Sequence, residues 1–163
     1  MKTALLALCF STTTAAADVT ISFRDGAPVD TFKFTPTQGC LTGMTSVTID
    51  LVGSQGELIF DITDAGVGVE VFQPFVAITG QDMLVSASAV ADGDKALTLM
   101  LSELDDTFAF TIDLDDTIGQ REITVSGAEI AGAKVMLRTD TDMLEGTSDA
   151  KGNAVIAVPG CMS

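Results

Sequence analysis

The sequence contains no histidine, tryptophan or tyrosine. Histidine is the usual general base beside a serine or cysteine nucleophile, and it is the commonest transition-metal ligand in proteins. Its absence excludes a hydrolase with a histidine-containing triad and a zinc or copper site that includes histidine. Without tryptophan and tyrosine the chain also has few platforms for stacking on sugar rings, which disfavours a carbohydrate-active enzyme.

An enzyme with two catalytic carboxylates is the remaining catalytic interpretation. Almost any acidic protein contains a plausible pair of acids, so the residue types alone do not identify such an enzyme. It would need a concave site with one carboxyl of raised pKa, whereas we expect a convex surface. We therefore predict a protein without catalytic activity and assign no catalytic residue.

Basic residues are few: the chain has eight Lys and Arg and 23 Asp and Glu, which give a formal net charge of −15. A surface of this charge repels nucleic acid and anionic lipid, so neither is expected as a partner. The excess of acid could attract divalent cations, or it could serve only to keep the protein soluble.

The apolar run from Ala4 to Phe10 is too short for a membrane-spanning helix, which needs about 20 residues. It follows Lys2 and precedes small residues that end at Ala17, a pattern typical of a secretory signal peptide. We predict that residues 1–17 are a cleaved signal peptide and that residues 18–163 form one secreted or periplasmic domain. No membrane insertion is expected after cleavage.

Cysteine is scarce, and one of the three cysteines, Cys9, lies in the predicted signal peptide. Cys40 and Cys161 remain, and an even number of cysteines in an exported chain predicts a disulfide between them. Closing so long a loop would stabilise the fold by about 4 to 5 kcal/mol in the chain-entropy model. The alternative is two free thiols.

Short runs of β-forming residues recur after Val19, separated by Gly, Asp, Pro and Ser. This pattern is typical of an all-β sandwich or barrel, and we predict a single-domain antiparallel β-sandwich, Ig-like in general layout. The Ala- and Ser-rich segment 83–90 is also compatible with a short helix. The predicted strands cover residues 19–23, 31–35, 46–51, 57–62, 67–72, 83–90, 96–101, 107–114, 122–126, 134–139 and 154–158.

The clearest alternation places Phe108, Phe110 and Ile112 on one face of a strand and Thr111 and Asp113 on the other. Alternation of this kind predicts one buried face and one solvated face.

Acidic residues cluster at the ends of this strand, and calcium binds several oxygen ligands at once. We expect Asp113, Asp115 and Asp116 to be calcium ligands, with Asp105 or Asp106 assisting. Asp113 and Asp115 would lie about 7 Å apart on one strand face. None of these residues follows the spacing of an EF-hand loop. The alternative interpretation is that they are solvated turn residues.

Three segments carry a resemblance to a known family: GVGVEVFQPF at 66–75, TFAFTIDLDDT at 107–117 and REITVSGAEIAGAKV at 121–135. They resemble exported bacterial proteins designated "aggregation factor core", a name taken from a distant similarity to the sponge aggregation factor core. The resemblance extends from about Val19 to Leu137. It implies a secreted or surface β-domain that takes part in calcium-assisted contact between cells or with a matrix.

One feature departs from sponge-type adhesion, which uses glycans. The chain has no Asn-x-Ser/Thr acceptor, because its single asparagine, Asn153, is followed by Ala154 and Val155. Adhesion through Asn-linked glycans is therefore not carried over.

The leading functional hypothesis is a secreted, non-catalytic interaction module. It would be adhesive or matrix-associated, with acidic loops that bind calcium and with a protein or extracellular-matrix partner. The alternative is a periplasmic accessory protein that binds another polypeptide by strand-edge pairing. Edge pairing requires an edge strand without charged residues or proline, so the sheet edges distinguish the two hypotheses.

Overall fold

The computed structural model describes residues 17–26, 29–37, 39–63, 72–118 and 125–159. Two five-stranded antiparallel sheets pack face to face, which confirms the predicted all-β sandwich. Its Ig-like layout stays a prediction. The strands are β1 Ala17–Arg24, β2 Asp30–Pro36, β3 Thr45–Asp50, β4 Ile59–Phe60, β5 Val76–Thr79, β6 Leu84–Ala87, β7 Ala96–Leu101, β8 Phe108–Ile112, β9 Leu114–Asp115, β10 Lys134–Arg138, β11 Met143–Thr147 and β12 Asn153–Val158.

The order of the strands leaves the two sides of the sandwich unlike each other. One sheet has the order β12-β1-β2-β8-β5 and the other β11-β10-β3-β7-β6, while β4 and β9 form a separate two-stranded ribbon. On one side, the edge strands β11 and β12 are joined by a tight turn around Gly152. On the opposite side, the edge strands β5 and β6 are joined by a 3-10 turn, Gln81–Met83. We call this second side the open side.

Phenylalanine rings fill the space between the sheets. The ring centroids of Phe32 and Phe110 lie 5.3 Å apart, and Phe75 lies 4.9 Å from Phe110. Phe108, Phe110 and Ile112 have no exposed surface, as the alternation in this strand predicts. Each such side chain contributes about 1.5 to 3 kcal/mol through its burial.

The predicted strand 107–114 is divided into two. β8 ends at Ile112, and the N–H of Leu114 donates to Oδ2 of Asp30 at 3.1 Å, where a backbone carbonyl would continue the ladder. β9 then pairs with β4. The prediction that the second face of this strand is solvated is wrong at Asp113, which is 9% exposed.

Several other strand predictions differ from the structure. The predicted strand 57–62 contains only the two-residue β4. The predicted strand 83–90 is confirmed over β6, Leu84–Ala87, where a short helix was the alternative. Strands β5 and β11 were not predicted. Two predicted strands lie mostly outside the described residues. Of the predicted strand 67–72 only Phe72 is described, and of the predicted strand 122–126 only residues 125–126; none of these is in a strand.

The predicted signal-peptide boundary falls one residue inside β1, which begins at Ala17. Residues 1–16 lie outside the described part of the chain. Within the described ranges, no helix is both long and apolar enough to cross a bilayer.

Candidate functional site

Three carboxyl groups lie on one face of the β4–β9 ribbon. Leu114 pairs with Phe60 across the ribbon, and next to this pair the N–H of Asp61 donates to the carbonyl of Asp113 at 3.2 Å. Since side chains alternate along a strand, Asp113 and Asp115 share a face with Asp61 opposite them, while Phe60 and Leu114 point into the core. All three carboxyl-bearing residues are buried.

A fourth buried carboxyl, that of Asp30, lies beside the ribbon at the start of β2. Its Oδ1 accepts a hydrogen bond from the N–H of Gly26 at 3.2 Å, and its Oδ2 accepts the bond from Leu114. Asp30 therefore ties β2 to the first residue of β9. We call Asp30, Asp61, Asp113 and Asp115 the carboxylate cluster.

Burial changes the acidity of two members of the cluster. It raises the pKa of Asp30 to about 8, and the hydrogen bonds from Gly26 and Leu114 offset only part of this rise. Burial also raises the pKa of Asp113 to about 7, with further contributions from the charges of Asp61 and Asp115. Burial and nearby like charges favour the protonated form of a carboxyl, so Asp30 and Asp113 retain protons at a pH where an ordinary aspartate is ionised.

The structure brings together only part of the predicted calcium site. Asp113 and Asp115 share the cluster, and the N–H of Asp116 donates to Oδ1 of Asp115 at 2.9 Å. Asp105 and Asp106 precede β8, whereas Asp113 follows it, and an extended strand of five residues spans about 17 Å. Those two aspartates therefore lie at the other end of the sandwich from the cluster.

Metal binding by these residues stays a prediction. Across the ranges that the structure describes, no group of three or more Asp, Glu or Cys side chains has an arrangement that could hold a metal ion. The oxygen-only chemistry of the cluster nevertheless suits a hard cation such as calcium.

Asp30 and Asp61 were not predicted from the sequence. Asp30 directly precedes the predicted strand 31–35, and Asp61 is the last residue but one of the predicted strand 57–62; an aspartate near a strand end is most often a solvated turn residue. Their burial depends on pairing between segments that are distant in the chain, and the local sequence carries no sign of that pairing.

The open side of the sandwich exposes apolar side chains. Val76 and Ile78 of β5 are 49% and 46% exposed, and Val85 of β6 is 58% exposed. Phe72, four residues before the start of β5, is 66% exposed. Neither β5 nor β6 contains a charged residue or a proline.

One of the two edge strands on the other side, β11, carries a charged residue, whereas β12 does not. β11 carries Glu145, whose Oε1 lies 2.9 Å from Nζ of Lys134 in β10. A charged residue on an edge strand hinders pairing with another chain. Of the four edge strands of the sandwich, β11 has such a charge and β5, β6 and β12 do not; the open side is the one where both edge strands are uncharged.

Carboxylates surround the turn that joins β5 to β6. Asp82 in this turn lines a surface cavity together with Glu103, Asp105 and Asp106. We call these four residues the acidic turn. Asp105 and Asp106, predicted to assist calcium binding near Asp113, thus belong to the open side.

Cys40 is half-buried and lines a surface cavity together with Val158 and Pro159, at the end of β12. Cys161, the predicted partner of Cys40 in a disulfide, lies outside the described residues. The pairing of the two cysteines stays a prediction.

Comparison of the chain with protein-family models, with curated proteins and with solved structures finds no match. Functional inference therefore rests on the residues and their geometry.

Proposed function

We propose that the protein is an exported, non-catalytic interaction module that binds another polypeptide along its open side. The observation that supports this proposal is the pair of uncharged edge strands, β5 and β6, with their exposed apolar side chains. An edge strand presents a row of backbone donors and acceptors that another strand can pair with. In complexes formed by strand addition, main-chain hydrogen bonds give affinity and side-chain contacts give specificity.

Natural proteins protect sheet edges with charged residues, prolines, short strands or bulges. β5 and β6 are short, and each has one irregularity in its register. Neither strand has a charge, and covering the exposed Val76, Ile78 and Val85 would remove their apolar surface from water. Burying apolar surface contributes about 25 cal/mol per Å², so these side chains favour a covered open side.

The predicted export suggests where such a partner is found. A secreted or periplasmic module meets polypeptides of the envelope, the cell surface or the matrix. The resemblance to aggregation factor core proteins supports an adhesive or matrix-associated role of the same surface.

A retention experiment with matched variants tests the proposal. The protein is immobilised and exposed to the secreted and periplasmic proteins of its source organism. Val85→Lys and Ile78→Lys each place a charge on the open side, and Val155→Lys on β12 is the control because Val155 is 56% exposed, close to Val85. We expect a protein that the wild type and Val155→Lys retain and that the two open-side variants lose. Equal retention by all three variants would contradict the proposal.

A second candidate function is binding of calcium, and the observation that favours it is the burial of Asp61, Asp113 and Asp115 on one face of a ribbon. Their negative charges need neutralising by protons or by a cation. Calcium binding requires these carboxylates to converge further than they do in the described structure, so a stability measurement decides between binding and no binding.

The measurement is thermal unfolding of the protein in millimolar calcium and in chelator, at one ionic strength. Calcium at a hundred times its dissociation constant adds about 2.7 kcal/mol to the free energy of unfolding. We expect a rise in Tm that is lost in Asp113→Asn with Asp115→Asn and retained in Asp140→Asn with Asp142→Asn, whose acids are exposed. The same Tm in calcium and in chelator would contradict calcium binding.

A further inference from the structure

We infer that β6 is the docking strand of the open side and that its partner is an extended polypeptide segment with an apolar centre and lysine or arginine at one end. The basic end would lie against the acidic turn. This inference rests on the proposed function, because it names the strand and the partner chemistry for the same surface.

The backbone of β6 leaves donors and acceptors directed away from the sheet. The N–H of Ser88 donates to the carbonyl of Thr98 at 2.8 Å, so this N–H faces β7. Successive residues of a strand direct their backbone N–H and carbonyl groups to opposite sides. The N–H and carbonyl of Ala87 therefore face away from β7, and β6 is the last strand of its sheet.

The segment from Met83 to Ala91 contains no charged residue. Within it, residues 85–89 are all exposed. The register irregularity lies between Leu84 and Ser86, so regular pairing with β7 begins at Ser86. β6 ends at Ala87, and the N–H of Ser88 still donates to Thr98, so a second strand can pair along residues 86–88 without meeting a charge or a bulge.

Charge at one end of β6 selects the kind of partner. The acidic turn gathers Asp82, Glu103, Asp105 and Asp106 around one cavity, directly before β6 begins. Opposite charges across an interface speed association and reject partners of the wrong sign. A basic residue at the corresponding end of the partner strand would meet this cluster.

A second copy of the chain fits the same edge poorly. Each copy carries a net charge of −15. Two copies would bring two acidic turns to one interface, and like charges placed together disfavour association. The charge of the molecule thus favours a different polypeptide with basic residues.

A peptide pair tests the inference. The probe is a fluorescent peptide of five alternating valine and threonine residues with two lysines at each end, and its matched control carries glutamates in place of the lysines. Fluorescence anisotropy measures binding of each peptide to the full protein. We expect the lysine peptide to bind at least about tenfold tighter at low salt, with a smaller difference at high salt, where screening is stronger.

Two variants assign the binding to β6 and to the acidic turn. Ala87→Pro removes the outward N–H, and Ala87→Ser keeps it, so we expect only the proline variant to lose affinity, by about tenfold or more. Asp82→Asn with Asp105→Asn should remove most of the preference for the lysine peptide. If Ala87→Pro does not fold, hydrogen exchange in the wild type replaces it, and the expected result is protection of the Ala87 amide by the peptide.

The outcomes separate this inference from the proposed function. Absence of binding by the lysine peptide, or equal binding of both peptides, overturns the partner chemistry. Unchanged affinity in Ala87→Pro, or an unprotected Ala87 amide, overturns the assignment to β6. In either case the proposed function stands if the open-side lysine variants lose the retained protein, and it falls if they keep it.

Discussion

Asp30 shows how one side chain connects distant parts of this fold. Its two oxygens accept hydrogen bonds from the backbone of Gly26 and of Leu114, so a single carboxyl ends the β2–β8 ladder and fixes the start of β9. The side chain is buried beside other carboxyls, and its pKa is raised to about 8. The protonated form is therefore the one that the folded protein prefers near neutral pH.

This preference predicts that stability falls as the pH rises. The folded protein binds a proton at Asp30 that the unfolded chain releases at about pH 4, so the free energy of unfolding decreases between about pH 4 and pH 8. One such group gives a slope of at most about 1.4 kcal/mol per pH unit.

Urea unfolding at a series of pH values checks this expectation. Asp30→Asn resembles the protonated carboxyl, and we expect its stability curve to be flatter than that of the wild type across the same window. Asp140→Asn, at an exposed position, is the control and should leave the slope unchanged. Equal slopes in the wild type and in Asp30→Asn would contradict the raised pKa of Asp30.

At the scale of elements, two glycines let the loop after β3 approach the segment before β10. A Cβ added to Gly132 would lie 2.3 Å from the carbonyl oxygen of Gly53, and Gly132 has a φ of +91°. Gly93, in the turn before β7, has almost the same φ, +89°, but nothing lies within 4 Å of its added Cβ. The two positions differ chiefly in the closeness of other backbone.

We therefore expect Gly132→Ala to destabilise the protein more than Gly93→Ala does. Both substitutions place a Cβ on a residue in the left-handed conformation, which lowers the free energy of unfolding by about 1 to 2 kcal/mol. Gly132→Ala also displaces backbone, which adds about 1 to 3 kcal/mol. Chemical denaturation of both variants measures the difference, and equal losses would mean that the two segments can move apart without cost.

Elements with clear alternation were predictable from the sequence. Strands β1, β2, β3, β7, β10 and β12 overlap predicted segments because their apolar residues recur with the period of a strand facing one core. β5 was missed because its exposed residues are themselves apolar, and β11 because Glu145 and Gly146 interrupt its pattern. Both are edge strands, where burial imposes the weakest pattern on the sequence.

The candidate site was predictable only in part for a related reason. Asp113 and Asp115 are separated by one residue in the sequence, so their shared face follows from strand geometry. Asp61 and Asp30 lie next to them only because segments that are distant in the sequence pair in the fold. The charge of the acidic turn is visible in the sequence, but its place beside an uncharged edge strand required the topology.

At the scale of the whole molecule, the predicted disulfide would join Cys40 to the segment that follows β12. Cys40 lines a cavity with Val158 and Pro159, and Cys161 follows Pro159 by two residues in the sequence. If residues 1–17 are removed as predicted, we expect the protein to have no thiol that an alkylating reagent can modify before reduction. Cys40→Ser with Cys161→Ser should lower the free energy of unfolding by about 2 to 5 kcal/mol. Alkylation of both cysteines without reduction would show free thiols instead.

The pairing of Ala17 with Val158 has a mechanical consequence. The first and last described strands, β1 and β12, are antiparallel neighbours. The chain therefore enters β1 and leaves β12 at the same end of the ladder between them. Hydrogen bonds in such a ladder run perpendicular to the strands. Tension applied through both ends would load these bonds one at a time and peel β12 from β1 at low force, whereas a tether at one end would leave the sandwich unstressed.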